Sequence, residues 1–199
     1  MKISKIYSNN ESFQSITFDT DINFILSDDH SVGKSTLFEL LDFCLLKGSK
    51  GFLSREQFAD FTFYLELELD SNSYLTIIRP TTGTANISVK VINHRDMLLD
   101  TTEFDKTGGV AAIKKFVEEK MDFCLEDCRK YLTYFLRDQD NQSDIFVLNK
   151  FLMQKHIYYK PLISNLLGID GSKIRRKYEL DNKIETLTKE IIVKENDLP

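Results

Sequence analysis

Tryptophan is absent from this chain of 199 residues, and proline and cysteine, with three residues each, are scarce. Glycine contributes only eight residues, so the composition excludes a long Pro- or Gly-rich linker and a low-complexity tract. No apolar run approaches the roughly 20 residues that span a bilayer, and the first residues do not resemble a signal peptide. We therefore expect a cytoplasmic protein with reduced thiols and no membrane segment.

Acidic residues also outnumber basic ones. The chain has 26 Lys and Arg residues and 31 Asp and Glu residues, so its net charge is −5. Nucleic acid binding through the whole surface would need clustered basic side chains in excess. One local basic cluster exists near the end of the chain, formed by Lys173, Arg175, Arg176 and Lys177. The composition therefore leaves DNA binding to a local patch at the base of the last helix.

Alternation of polar and apolar side chains predicts strands over residues 2–7, 15–18, 61–69, 74–79 and 86–92. The polar turn at residues 70–73 joins two of them into an antiparallel hairpin. Residues 23–26 form a compact apolar run that is typical of a strand buried on both faces. The chain thus contains a small antiparallel sheet beside a buried strand.

Helical periodicity begins directly after this buried strand. Leu37, Leu40, Leu41, Cys44 and Leu45 recur on one face, which predicts an amphipathic helix over 34–46 that Gly48 and Gly51 end. Further helices are predicted around residues 113–117, over 125–136 and over 148–167, the last with a kink or break at the proline of position 161.

The strongest motif is the run Gly33-Lys34-Ser35-Thr36, placed between a strand and a helix. In a P-loop, backbone N–H groups at a helix N-terminus surround the phosphates, and glycine permits the close approach. Lys34 would reach the β- and γ-phosphates, while the Ser35 hydroxyl would bind Mg²⁺. The context of strand, loop and helix predicts a true phosphate loop.

The loop departs from the usual P-loop pattern at its first position. Asp28 stands where the pattern has a glycine, and Asp29 adds a second negative charge near an anion site. Aspartate tolerates positive φ better than most residues, so the turn remains allowed. We expect these charges to weaken nucleotide binding or to make it depend on Mg²⁺.

The last segment, 171–199, has a heptad pattern. Its apolar seam runs through Leu180, Ile184, Leu187, Ile191 and Leu198, with Lys194 at one seam position and charged residues elsewhere. Such a seam requires a partner helix, which predicts the start of a coiled-coil arm. The alternative is an ordinary amphipathic helix packed on its own domain.

These features together resemble the heads of SMC/RecN-like ABC ATPases. The segments that carry the resemblance are residues 2–8, 25–26, 30–37, 41–45, 63–69 and 134–140. It is greatest to SMC-like subunits of bacterial antiphage defence systems of the Lamassu or ABC-three-component type. The resemblance implies an α/β P-loop NTPase fold: residues 1–170 would form the N-terminal lobe of the head, with a mixed or antiparallel sheet and helices, and 171–199 the truncated arm.

The resemblance also assigns site residues for ATP and Mg²⁺. Lys34 and Gln139 would be catalytic, and Ser35 and Gln139 would hold the metal, with Gln142 competing for the role of Gln139. The nucleotide would be contacted by Asp29, His30, Ser31, Val32, Gly33, Lys34, Ser35, Thr36 and Arg55. More weakly, Arg79 resembles an arginine near the nucleotide; alternatively it is a surface arginine at a strand end.

The function that this resemblance implies is ATP-dependent pairing of two heads. A second, identical head would complete a homodimer that sandwiches ATP, engages double-stranded DNA and opens on hydrolysis, together with accessory and effector nuclease subunits. The sequence contains no Leu-Ser-Gly-Gly motif and no apolar strand ending in Asp-Glu. We therefore expect half of an ATPase head, which alone binds nucleotide weakly and hydrolyses very little.

Two other hypotheses remain open. The chain could be another P-loop enzyme, such as a kinase or GTPase with a dimerisation helix, although the run starting at Asn149-Lys150 lacks the Asp of a guanine-specific loop. It could also be a non-catalytic scaffold in which Asp28 disables the loop and the last helix recruits partners.

Overall fold

The computed structural model describes residues 2–26, 28–29, 33–48, 56–70, 72–82, 86–94, 102–121, 128–136 and 156–196. The chain forms two compact units, Met1–Arg129 and Lys130–Pro199. The first contains a sheet and helices and the second is helical, so the fold is mixed α/β. The predicted division at residue 170 remains a prediction.

The first unit is built on a six-stranded antiparallel sheet with the order β2-β1-β3-β4-β5-β6. Its strands are β1 (Lys2–Ser8), β2 (Ile16–Thr17), β3 (Thr62–Asp70), β4 (Ser73–Pro80), β5 (Ile87–Ile92) and β6 (Lys106–Gly108). The predicted antiparallel hairpin is confirmed as β3 and β4, whose register pairs Asp70 with Ser73 across the turn. The strand β6 was not predicted, because three residues are too few to show alternation.

One face of this sheet forms the core of the unit. Ile6, Leu65, Ile77 and Val89 lie opposite one another on four adjacent strands, and all four are fully buried. Helix α1 (Lys34–Cys44) contacts β3 and β4, and helix α2 (Val110–Lys120) contacts β5 and β6. The sheet therefore supplies the surface on which α1 is mounted.

Helix α1 ends in a way that the sequence did not predict. It stops at Cys44, and Leu46 adopts the left-handed conformation with φ 69°. The backbone N–H of Leu46 donates to Phe43 O, and that of Lys47 donates to Asp42 O, which is the Schellman arrangement. Glycine usually occupies this position, so termination by Gly48 is wrong; the buried side chain of Leu46 offsets the backbone strain. The glycine at position 51 lies outside the described residues.

The predicted strand at residues 23–26 is wrong in the described structure. The segment has no strand pairing, and the side chains of Phe24 and Leu26 are 79% and 86% exposed. Asn23 instead forms a local turn, since its side chain accepts a hydrogen bond from the Asp19 N–H and donates to Asp19 O. Apolar composition alone predicted burial, but the described residues provide no neighbouring strand to cover this one.

The second unit contains most of helix α3 (Cys128–Phe135), helix α4 (His156–Leu166) and helix α5 (Gly171–Asn196). Helix α4 continues through Pro161, so the predicted break is absent. Gly168, with φ 74°, ends α4, and a Cβ at Gly171 would lie 2.2 Å from Pro161 O. Asn165 joins the parts, because its side chain donates to the Tyr131 hydroxyl and accepts from the Gly171 N–H.

Candidate functional site

Helix α1 begins at a glycine in the left-handed conformation. Gly33 is the N-cap residue with φ 93° and ψ 7°, and within the described residues no side chain caps the helix. The Leu37 N–H donates to Gly33 O over 2.8 Å and starts the helical hydrogen-bond pattern. Glycine is required here because a side chain would make the left-handed conformation unfavourable. The first N–H groups of α1 are therefore directed away from the helix body, as phosphate binding requires.

The side chains that follow Gly33 are accessible. Lys34 and Ser35 are exposed and Thr36 is half-buried. The ammonium of Lys34 donates to the backbone oxygen of Asp29 over 3.2 Å, so it lies across the loop that precedes the helix. An incoming phosphate would offer this ammonium a charged acceptor in place of the neutral carbonyl oxygen.

The loop residue that departs from the P-loop pattern is exposed and adopts no unusual backbone conformation. Among described residues other than glycine, only Leu46 and Asp60 have positive φ, so Asp28 does not take the conformation that a glycine would permit. Asp28 and Asp29 both face solvent, where water screens their charges. The expected electrostatic penalty for an anion is therefore reduced, although it is not removed.

A cleft of about 560 Å³ opens beside this helix N-terminus. One wall contains Gly33, Lys34 and Thr36, and the rest is largely apolar, with aromatic rings from Phe13 and Phe58. The volume lies within the range of small-molecule sites in proteins, about 300–1,000 Å³. A largely apolar cleft whose lining includes a lysine and a helix N-terminus fits a ligand with one apolar and one anionic part.

Both aromatic rings are held in place by the core. Phe13 and Phe58 contact Phe63 edge to face, with ring centroids 5.3 and 5.6 Å from it. The loop bearing Phe13 is tied to β3 through Asn9, whose side chain accepts from the Thr62 N–H. These contacts make the aromatic walls a built feature of the first unit rather than exposed loop residues.

The turn bearing Phe58 is fastened in the same way. It is a short 3₁₀ helix, Glu56–Phe58, and the Thr81 hydroxyl donates to Phe58 O over 2.6 Å. Sequence analysis missed both phenylalanines, because each lies in a loop where neither periodicity nor a motif marks it. The only signal was the high phenylalanine content of 15 residues, which does not distinguish one position from another.

The cleft also borders the apolar segment that precedes the phosphate loop. Ile25 and Leu26 contribute to its lining, and four of the five residues 22–26 are exposed apolar side chains. Contiguous apolar surface of this kind is uncommon on an isolated protein and marks an interaction site. The apolar side chains of this segment are therefore part of the site, and the described residues do not bury them.

The structure brings together only part of the predicted set. Asp29, Gly33, Lys34, Ser35 and Thr36 lie at the start of α1 or in the loop before it. The remaining predicted contacts, His30, Ser31, Val32, Arg55 and Gln139, lie outside the described residues, as does Gln142. Their assignment to ATP and Mg²⁺ stays a prediction.

Arg79 was predicted either near the nucleotide or on the surface at a strand end, and the structure places it at neither the start of α1 nor the surface. It is 4% exposed, so it is not a surface arginine, and its guanidinium lies 3.9 Å from the centre of the Phe43 ring. It donates to Phe43 O and to Lys47 O, both at the C-terminal end of α1. Since α1 has 11 residues and is therefore about 16 Å long, this end is remote from Gly33.

The cysteine at this end of α1 shows no sign of a chemical role. Cys44 is fully buried, and burial raises the pKa of its thiol to about 12. A thiol that stays protonated is a poor nucleophile and a poor metal ligand. In the described part of the chain, no group of three or more His, Cys, Asp or Glu residues could hold a metal ion.

Two further findings concern membrane-spanning helices among the described residues and similarity to known proteins. No described helix combines the length and the apolar character that crossing a bilayer requires. Comparison of the sequence and structure with protein-family models, curated proteins and solved structures gave no match. The function is therefore inferred from the residues of the cleft and of α1.

Proposed function

We propose that this chain is the ATP-binding part of an SMC-like ABC ATPase head. The observation that carries the proposal is the position of Gly33 and Lys34, at the N-terminus of α1 and in the lining of a cleft that also contains two aromatic rings. A helix N-terminus and a lysine suit phosphate, and the aromatic walls suit a base. One ligand class, a nucleoside triphosphate, satisfies both ends of the cleft.

The phosphates would occupy the polar end of the cleft. The N–H groups of the first turn of α1 would donate to phosphate oxygens, and Lys34 would leave Asp29 O to contact the β- and γ-phosphates. The Ser35 hydroxyl and, by resemblance, Gln139 would hold Mg²⁺, which neutralises phosphate charge when bound. This part of the proposal rests on the motif and on the geometry of Gly33.

The base and ribose would occupy the apolar end. Phe13 and Phe58 present aromatic surface there, and their contacts with Phe63 fix their positions. Stacking on an aromatic side chain contributes about 1–3 kcal/mol per base in nucleic acid complexes. The same surface would distinguish ATP from inorganic polyphosphate.

Hydrolysis would need a second lobe and a second head. In support, four of the five side chains of residues 22–26 are apolar and exposed, and two of them, Ile25 and Leu26, line the cleft, which is where a further strand would cover them. Burying such side chains stabilises a complex by about 1.5–3 kcal/mol each. We propose that this surface is covered in the complete ATPase and that this chain alone hydrolyses ATP very slowly.

The arm and the DNA contact are assigned to α5. Leu180, Ile184, Leu187 and Ile191 keep heptad spacing along α5 and are all exposed, which fits a coiled-coil seam that awaits a partner helix. The basic residues 173 and 175–177 lie at the start of the same helix, where they could contact DNA phosphates. A role in antiphage defence, in the cytoplasm and with accessory and effector nuclease subunits, rests on the resemblance alone.

ATP·Mg²⁺ titration of the folded chain by calorimetry tests the proposal. Wild type is expected to bind, and Lys34→Ala to bind about tenfold to a hundredfold more weakly, because a hydrogen bond between charged groups is lost. Lys115→Ala is the matched control, since Lys115 is an exposed helical lysine on α2. Absence of wild-type binding at millimolar ATP would reject the proposal.

The second candidate is a scaffold that binds no nucleotide. It is favoured by the two exposed acids, Asp28 and Asp29, beside the loop and by the exposed seam of α5. The same titration separates the two functions, because a scaffold gives no heat with ATP·Mg²⁺ in either wild type or Lys34→Ala.

A further inference from the structure

A buried arginine of the sheet contacts the C-terminal end of α1. Arg79 extends from β4, donates to Phe43 O and Lys47 O, and stacks on the ring of Phe43. Both hydrogen bonds come from Nη1, and the planar face of the guanidinium lies over the Phe43 ring at the same time, which an ammonium without a planar face cannot reproduce. The contact therefore fixes the orientation of the helix end as well as its distance from β4.

The acceptors of Arg79 belong to the left-handed turn that ends the helix. The Leu46 N–H also donates to Phe43 O, so Arg79 and the turn share one carbonyl oxygen. The last carbonyl groups of a helix carry partial negative charge and lack helical partners, so a cation stabilises them. Burial lowers the pKa of Arg79 to about 10, which leaves it charged at neutral pH.

A second contact secures the same end of the helix. Asp42 is buried on α1 and pairs with Arg129 of α3 and with Lys47. A buried carboxylate with two cationic partners is strongly held, because separating them would leave a charge without compensation. Arg79 and Asp42 thus attach α1 at its C-terminal end, while Gly33 and Lys34 lie at the other end.

We propose that Arg79 is a positioning residue for the phosphate site, acting through α1. A helix of 11 residues moves as a rigid element, so its anchored end sets where the N–H groups of its first turn lie. Misplacement of binding groups by about 1 Å can reduce activity a hundredfold. The inference rests on the proposed function, since it concerns the same nucleotide site.

The test compares Arg79→Lys with the wild-type chain at a temperature where circular dichroism shows both to be folded. The dissociation constant for ATP·Mg²⁺ is expected to rise about tenfold, because lysine keeps the charge but lacks the planar group that stacks on the Phe43 ring. Hydrogen exchange is expected to speed up at the amides of Leu37 and Leu40 and to stay unchanged at Leu65 and Ile77 of the sheet. Lys115→Arg, an exchange between the same two cations at an exposed position of α2, is the matched control and should change neither measurement.

A general loss of stability would speed exchange in the sheet and in α1 alike and leave the affinity of the folded chain unchanged; this result overturns the inference. Equal affinity in wild type and Arg79→Lys does the same. If Arg79→Lys does not fold, Arg129→Lys loosens the same end of α1 and is expected to show both effects in weaker form. Failure of wild type to bind ATP would instead reject the proposed function, and the inference with it.

Discussion

The ammonium of Lys34 lies 3.2 Å from the backbone oxygen of Asp29, five positions earlier in the chain. This hydrogen bond links the lysine of the motif, in the first turn of α1, to a residue that precedes the helix, and Lys34 also lines the cleft. A neutral carbonyl oxygen is a weaker acceptor for an ammonium than a phosphate oxygen is. The contact therefore keeps Lys34 near its proposed position without preventing its exchange to a ligand.

Gly33→Ala is expected to lower the free energy of unfolding by about 1–2 kcal/mol, because alanine is strained at φ 93°. No atom of the described residues lies within 4 Å of the added Cβ, so the effect is expected to come from the backbone. Urea denaturation measures the change, and ATP·Mg²⁺ affinity is expected to fall with it. Gly109→Ala is the control: its φ is −72°, its Cβ also meets open space, and a change below about 0.5 kcal/mol is expected. Equal effects at both glycines would contradict the argument.

Phe58→Ala and Phe13→Ala are expected to weaken ATP·Mg²⁺ binding about tenfold, since each removes aromatic surface from the apolar end of the cleft. Binding of inorganic tripolyphosphate should be unchanged, because it occupies only the polar end. Competition titrations with both ligands measure the difference. Phe116→Ala, on α2 and outside the cleft, serves as the control. Parallel loss of both ligands in the Phe58 variant would show that the ring supports the fold rather than the base.

Cys44 is expected to make stability depend on alkaline pH. Burial raises the thiol pKa from 9.0 to about 12, so between these values the unfolded chain loses this proton and the folded chain keeps it. Stability from this group is complete below pH 9 and falls as the pH rises. At pH 10 the expected loss is about 1 kcal/mol, relative to pH 8. Urea denaturation of wild type and Cys44→Ala at both pH values isolates the thiol.

An ionisable group next to Cys44 acts in the opposite direction at higher pH. Burial lowers the pKa of Arg79 from 12.5 to about 10, so above pH 10 the folded chain releases a proton that the unfolded chain retains. For this reason the measurement stops at pH 10. A pH dependence that is identical in wild type and Cys44→Ala would show that the thiol is accessible in the folded chain.

Leu187→Asn is expected to change the free energy of unfolding by less than about 0.5 kcal/mol, because Leu187 is exposed on α5. Leu162→Ala, at a buried position of α4 in the same unit, is expected to cost about 2–5 kcal/mol and shows that the assay reports on this unit. Thermal denaturation monitored by circular dichroism compares the two. A large loss in Leu187→Asn would favour the amphipathic helix packed on its own domain over the coiled-coil arm.

The local sequence pattern was sufficient to predict most strands and helices of the first unit. Alternation over β3 and β4 predicted both strands and their hairpin, because in a half-buried strand successive side chains face opposite environments. The start of α1 after Gly33 was predicted from the motif, since only glycine suits the conformation found there. The exposure of residues 22–26 could not be predicted. An apolar run indicates side chains that favour burial, but it does not show whether a neighbouring strand is present to bury them.

What the sequence determined by itself was therefore the strands β1 to β5, the described α-helices, the glycine that starts α1 and the lysine that follows it. These depend on neighbouring residues and on backbone conformation, which a linear pattern records. Only the tertiary structure decided that Phe13 and Phe58 wall one cleft and that Arg79 holds the far end of α1. Such contacts join residues distant in the chain, and they depend on how the sheet and helix pack, which no local periodicity specifies.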